Sequence, residues 1–215
     1  MHVDKVIHRN IEPENLVMDS RGYIRITDLG IARRLAPNDS KDTSGTPGYM
    51  APEVICRHNH GIGVDYFALG ILIYEFMTGR RPYVGRTRRE IKDMMMSKQV
   101  QLKKSQVPPG WSMDAVDFTN KLIMLRPVNR LGRNGPSELK QHAWLRDFDW
   151  KRLFTKTLNS PYKPPAVENS ELKKLEFADS DTDSLLSSKA MNNIFDGYDM
   201  QGNVNNNHDN NTLNV

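Results

Sequence analysis

From Asp65 to Gly79 the sequence puts an apolar side chain on most sides of a helix: Phe67, Ala68, Leu69, Ile71, Leu72, Ile73 and Phe76 leave little polar face. Such a helix has to be enclosed by other elements, so the rest of the chain is constrained to fold around it. Asp65 is placed to cap its start, and Gly79 to stop it after Thr78. The longest apolar stretch, Tyr66 to Met77, falls short of the ~20 residues of a membrane span. What encloses the helix is therefore expected to be protein.

The enclosing elements can be read on both sides. Leu16-Val17-Met18 and Tyr23-Ile24-Arg25-Ile26 are short strand patterns separated by Asp19-Ser20-Arg21-Gly22, a turn sequence that makes them a hairpin. Helical patterns recur near Thr87 to Lys98 and Ser112 to Leu125. The fold class is α+β, mainly helical with one small hairpin. Three regions differ in character. Residues 1–146 carry nearly all the patterned segments. Residues 147–190 are charged and Ser-rich, and Pro161-Tyr162-Lys163-Pro164-Pro165 favours an extended path over a surface. Residues 191–215 are crowded with asparagine (Asn205, Asn206, Asn207, Asn210, Asn211, Asn214), too polar to offset the entropy of ordering.

Composition narrows the function class. With 38% hydrophobic and 26% charged residues the chain suits a soluble globular domain. The net charge of +4 is a mild excess, best read as scattered solvated Lys and Arg, and points to neither a nucleic-acid nor a membrane partner. Cys56 is the single cysteine, so no internal disulfide can form. The first residues are too polar for a signal peptide, and a cytoplasmic or nuclear location is expected.

The sharp motifs come in a fixed order. His8-Arg9-Asn10-Ile11-Glu12-Pro13-Glu14-Asn15 is followed, thirteen residues after Asn15, by Asp28-Leu29-Gly30. Then come Gly45-Thr46-Pro47-Gly48-Tyr49-Met50-Ala51-Pro52-Glu53, Asp65 and Arg130. This series resembles the C-terminal lobe of protein kinases, covering about residues 1–165. The AGC group of Ser/Thr kinases is indicated by Gly45-Thr46-Pro47, by Arg130-Leu131-Gly132, and by a tail with Pro161-Tyr162-Lys163-Pro164 and Phe195-Asp196-Gly197-Tyr198. The resemblance implies magnesium ions and ATP as cofactors, with Asn15 and Asp28 as metal ligands. It counts Thr46 with positions 10 and 12 among the catalytic residues, and makes Asp42, Thr43 and Ser44 part of the activation loop. It pairs Glu53 with Arg130, lets Asp65 accept hydrogen bonds from the backbone of the loop begun by His8 and Arg9, and offers Glu14 and Glu75 as receivers of a substrate arginine. Glu14 and Glu75 read equally well as solvated or structural carboxylates.

Departures from the pattern matter more than the matches. Asn10 stands where the family has its catalytic Asp; an amide oxygen accepts a hydrogen bond but takes up no proton near neutral pH. Loss of a positioned base costs ~10²–10⁴ in rate. Glu12 stands where the family has a loop lysine, a charge reversal beside a transferring phosphoryl group, unless it turns to a metal ion as an extra ligand. The chain as given begins just before this loop, so the Gly-rich loop and strand lysine of an N-terminal lobe are not in it, and nucleotide binding is expected to be weak or absent. Asp42 takes the place of the family's phosphorylated threonine, a fixed charge smaller than a phosphate's. Leu29 for Phe keeps an apolar plug.

Three functions compete. The first is a binding or regulatory protein of pseudokinase type, whose partners would be kinase substrates, regulators or an N-terminal lobe supplied in trans. Its basic edge, Arg86-Thr87-Arg88-Arg89, is either a docking element or a solvated helix start. The second is an active ATP-dependent Ser/Thr kinase whose N-terminal lobe lies outside the sequence given. The third is a non-functional gene fragment.

Overall fold

The computed structural model describes residues 1–35 and 42–165. The expectations for the Asn-rich tail and for Phe195-Asp196-Gly197-Tyr198 lie outside the described residues. One compact unit runs from Met1 to Pro164, past the end of the motif-bearing region. Its strands are β1 (Val6–Ile7), β2 (Leu16–Met18), β3 (Ile24–Ile26) and β4 (Arg33–Arg34). Its α-helices are α1 (Pro52–Ile55), α2 (Gly63–Thr78), α3 (Arg88–Ser97), α4 (Met113–Leu122), α5 (Pro136–Gln141) and α6 (Trp150–Phe154).

Helix α2 is the axis of the core. Phe67, Ile71 and Met77 are buried on it, and Ile55, Tyr83, Ile91, Met95, Leu102, Val116 and Ile123 close round it from α1, α3, α4 and the loops. It crosses α4 so closely at Gly70 that an added Cβ would lie 2.7 Å from Leu122 Cβ and 2.8 Å from Ile123 Cγ2. Only a glycine permits that approach. Gly79 ends the helix in the left-handed conformation, its amide bonded to the Glu75 carbonyl. The start differs from expectation. The helix begins at Gly63 with Ile62 as a cap that makes no side-chain bond, and Asp65 lies inside the first turn, because its carboxylate is engaged elsewhere.

Helices α3 and α4 start where the sequence places them, with Thr87 accepting from the Glu90 amide and Ser112 from the Ala115 amide. Helix α4 stops at Leu122 rather than Leu125, because the Leu125 amide is taken by the Gln99 side chain. The expected hairpin is β2–β3, paired antiparallel with Leu16 opposite Ile26 and Met18 opposite Ile24. Asp19 closes its turn by accepting the Arg21 and Tyr23 amides. The pairing β1–β4, Val6 opposite Arg34, had no signal in the sequence, since each strand is only two residues long.

Segment 158–162 crosses the hairpin turn, with the Tyr23 hydroxyl donating to the Leu158 carbonyl at 2.5 Å and Ser160 Oγ donating to the Gly22 carbonyl. Enclosure of α2 is incomplete on one side. Phe76 is 56% exposed, and Leu69, Ile73 and Phe76 border an apolar cavity of about 530 Å³ with Ile11, Leu16 and Ile24. No helix of the described residues is long and apolar enough to cross a membrane.

Candidate active site

The site is assembled on loops held by α2 and the hairpin. Buried Asp65 accepts the His8 amide on Oδ2 and the Arg9 amide on Oδ1, both at 2.8 Å, and its Oδ2 also lies 2.7 Å from His2 Nε2. One carboxylate thus pins the loop to the core helix, and with backbone donors as partners the arrangement is strong. Arg9 sits at φ 70°, a backbone conformation uncommon for a side-chain-bearing residue, fixed by those bonds. The His8 ring is buried between Thr27 and Asn10: its Nε2 donates to the Thr27 carbonyl at 3.0 Å, and Nδ1 accepts from the Asn10 amide at 3.3 Å.

The hairpin brings the metal-ligand candidates to one end. Beyond the Leu16–Ile26 pair, the Thr27 amide donates to the Asn15 carbonyl at 2.9 Å, so Asn15 and Asp28 leave the ladder side by side. Asn15 is buried and donates Nδ2 to the Asn10 carbonyl at 2.9 Å, which sets its amide oxygen on the other side. Asp28 is exposed at φ 60°, with Oδ1 accepting the Gly30 amide. Hard divalent cations take oxygen ligands, which an Asn amide and an Asp carboxylate supply, so the donor set fits magnesium. Among the described residues no cluster of three or more His, Cys, Asp or Glu side chains is arranged to hold a metal. Glu12 is buried, its Oε1 3.5 Å from Asn15 Nδ2. Leu29 is 61% exposed, which corrects the expectation of an apolar plug: its neighbours Asp28 and Gly30 are exposed too, and no core forms around it.

The segment after Asp28-Leu29-Gly30 returns to the same place. Arg9 donates Nε to the Ile31 carbonyl and Nη1 to Asp42 Oδ2, both at 2.8 Å, and Arg33 Nη1 lies 3.9 Å from that carboxylate. Asp42 Oδ1 accepts the Ser44 amide and hydroxyl, at 3.0 and 2.7 Å. The Ser44 hydroxyl, and after it the Arg9 guanidinium, hold the Asp42 carboxyl well below the usual range. Thr43 is half-buried between the two. Thr46 is half-buried in the following turn, where the Tyr49 amide donates to its carbonyl. Asn10 lies close by, its Oδ1 3.7 Å from where a Cβ on Gly45 would stand.

Two carboxylates lie further along the surface. Glu75 accepts the Tyr49 hydroxyl on Oε2 at 2.5 Å. The Tyr49 hydroxyl is pushed well above its usual range by burial and by that bond, with the Glu14 charge adding a little. Beneath them Glu53 and Arg130 form a buried two-pronged pair at 2.6 and 2.9 Å. The Arg130 guanidinium stacks over the Phe67 ring at 4.9 Å and donates to the Met124, Gly63 and Leu125 carbonyls, tying α1, α2 and the α4–α5 loop together.

Comparison with known proteins gives the arrangement its family. The family model for the protein kinase domain matches residues 1–145. The chain belongs to the protein kinase family. The kinase domain is 32% identical over 183 residues to the cAMP-dependent protein kinase catalytic subunit of Dictyostelium discoideum, covering 84% of the chain and 27% of that protein. It is 36% identical over 169 residues to cGMP-dependent protein kinase 2 of Mus musculus, covering 76% and 21%. Against ribosomal protein S6 kinase alpha-6 of Homo sapiens it is 32% identical over 166 residues, covering 76% and 22%. These relatives are AGC kinases, and the chain spans about a fifth to a quarter of the length of each.

Two residues of this kinase domain have no counterpart in the motif reading. His2 bridges α2 by bonding Asp65 and, through Nδ1 at 2.9 Å, the Tyr66 hydroxyl, which burial and then the Asp65 charge push up to about 12. A lone histidine six residues before His8 carries no pattern that would have singled it out. Arg81 lies with its guanidinium 5.3 Å over the Tyr49 ring, a contact between segments far apart in sequence.

Proposed function

We propose that this kinase domain holds protein partners on a kinase-like face while transferring phosphate poorly or not at all. One observation carries the reading: Asn10 and buried Glu12 flank Asn15 where the chemistry needs a base and a cation. An amide at position 10 can orient a hydroxyl and cannot take its proton. A carboxylate within 3.5 Å of Asn15 adds negative charge where the family stabilises the anionic phosphoryl group. When bound, magnesium would neutralise nucleotide phosphate charge, and Asn15 and Asp28 are the residues that would hold it. Glu12 weakens phosphate binding at the same place, so ATP affinity weaker than millimolar is expected. The location that accords with this reading is cytoplasmic.

The purified protein tests it. Labelled phosphate from magnesium–ATP is expected to reach basic peptides no faster than in a no-protein control, and Asn10→Asp alone is expected to leave that unchanged, because Glu12 remains. Reproducible magnesium-dependent labelling would defeat the reading.

A second reading, an active Ser/Thr kinase, is favoured by one observation. Asp42 already engages Arg9 and Arg33, the kind of charge pairing a phosphorylated loop residue makes. It predicts phosphate transfer that Asp42→Ala abolishes.

A further inference from the structure

Glu75, one of the two carboxylates read as peptide-facing, is accompanied by a cation of the chain's own. Arg81 follows α2 by three residues and folds back over its last turn. Its guanidinium lies 5.3 Å above the Tyr49 ring, and its Nε stands 4.0 Å from Glu75 Oε1, on the carboxylate whose other oxygen holds the Tyr49 hydroxyl. Residue 48 leaves room for this: a Cβ built on Gly48 would collide with Arg81 Nη1 and Cζ, so the guanidinium fills the space a larger residue would take. The glycine at 48 and the arginine at 81 are complementary. Both charged side chains are partly exposed, 34% for Arg81 and 27% for Glu75, so the contact borders the surface rather than the core. The wall beyond it is basic as well. Arg80, Lys98 and Lys103 share with Arg81 the rim of a cavity of about 660 Å³ that, among the described residues, no carboxylate lines.

We propose that Arg81 occupies, from within the chain, the Glu75 side of the acidic subsite that Glu14 and Glu75 would form, so that this kinase domain takes peptides lacking a basic residue at that position. The proposal rests on the peptide-facing reading of Glu14 and Glu75. An incoming arginine would meet a carboxylate already shared by a tyrosine hydroxyl and a guanidinium, and would have to displace Arg81 from Tyr49 to reach it. A neutral or acidic residue meets no such competition, and the adjoining cationic wall favours the acidic one.

The test pairs peptide binding with a direct view of Arg81. Two fluorescein-labelled peptides, identical except for arginine against its neutral isostere citrulline, are titrated by anisotropy into the wild type, Arg81→Ala, Arg81→Gln and Arg81→Ala/Glu75→Gln. The wild type is expected to bind the two within about twofold. Both single variants are expected to prefer the arginine peptide by about tenfold, the scale of one charge-assisted pair, and the double variant to lose that preference. In parallel, the Arg81 Nε–H is followed by ¹⁵N NMR, where slow exchange in the wild type that quickens in Glu75→Gln reports its seat. A wild type that already prefers arginine overturns the proposal, as does rapid Nε–H exchange in the wild type. Slow exchange with no gained preference in either single variant shows a seated Arg81 on a face that takes no peptide. That outcome defeats the peptide-facing reading and the proposal with it.

Discussion

Replacing Glu53 by alanine tests how α1 is tied to the helical core. Arg130 is fully enclosed, and its guanidinium makes five hydrogen bonds: two to the Glu53 carboxylate and one each to the Met124, Gly63 and Leu125 carbonyls. The substitution removes the two strongest and leaves a cation among apolar neighbours with three neutral acceptors, one of them at 3.4 Å. Breaking one side of a buried pair costs about 3–5 kcal/mol. The remaining carbonyls solvate part of the charge, so the lower half of that range is expected. Against a domain stability of ~5–15 kcal/mol this is a large fraction, and at about 2–4 °C per kcal/mol the midpoint should fall by about 6–16 °C. Urea unfolding followed by tryptophan fluorescence reads the free-energy loss and a thermal scan the midpoint, with Trp144 packed on Phe118 as a core reporter. The double substitution Glu53→Met/Arg130→Met should be less destabilised than Glu53→Ala, since no charge is then stranded. A loss under about 1 kcal/mol in Glu53→Ala, with an unchanged denaturant slope, would refute the idea that Arg130 depends on its carboxylate.

Three further outcomes are expected. Asp42 has its carboxyl depressed in the folded state, so its contribution is present above the unfolded value of 3.8 and is lost as pH falls below it; limited proteolysis between residues 30 and 45 should accelerate only in that acid range, and Asp42→Asn should be equally susceptible at pH 7. Gly70→Val should destabilise by about 1–3 kcal/mol in chemical denaturation, because Leu122 and Ile123 occupy the space its side chain needs; a neutral result would mean that α2 and α4 can part cheaply. The apolar cavity beside Phe76 should bind ANS in the isolated chain, and Phe76→Ser with Ile24→Thr should reduce the fluorescence at least twofold; a dye-negative wild type would show the surface to be covered.

Local physics made part of this protein readable without coordinates. The β2–β3 hairpin, the starts of α3 and α4, and the glycine stop of α2 each depend on residues within a few positions of one another: a turn sequence, a hydroxyl three residues before an amide, a left-handed cap. The motif order from His8 to Arg130 was legible for a different reason, since chemistry with phosphate and metal restricts which residue types can stand at those spacings. That a helix apolar nearly all round would be short of cover was legible; which face stays open, at Phe76, was not, because periodicity says which residues want cover and nothing about which neighbour supplies it.

The sequence by itself determined the family, the small hairpin, the apolar central helix and the presence of Asn and Glu at positions 10 and 12. Only the tertiary structure decided that His2 joins Asp65, that Leu29 is exposed, and that Arg81 lies on Tyr49 beside Glu75. The physical reason is the same in each case. A side chain's partner is set by where distant segments meet, and a carboxylate or guanidinium binds whichever donor or ring the fold delivers, at separations in sequence over which no local pattern extends.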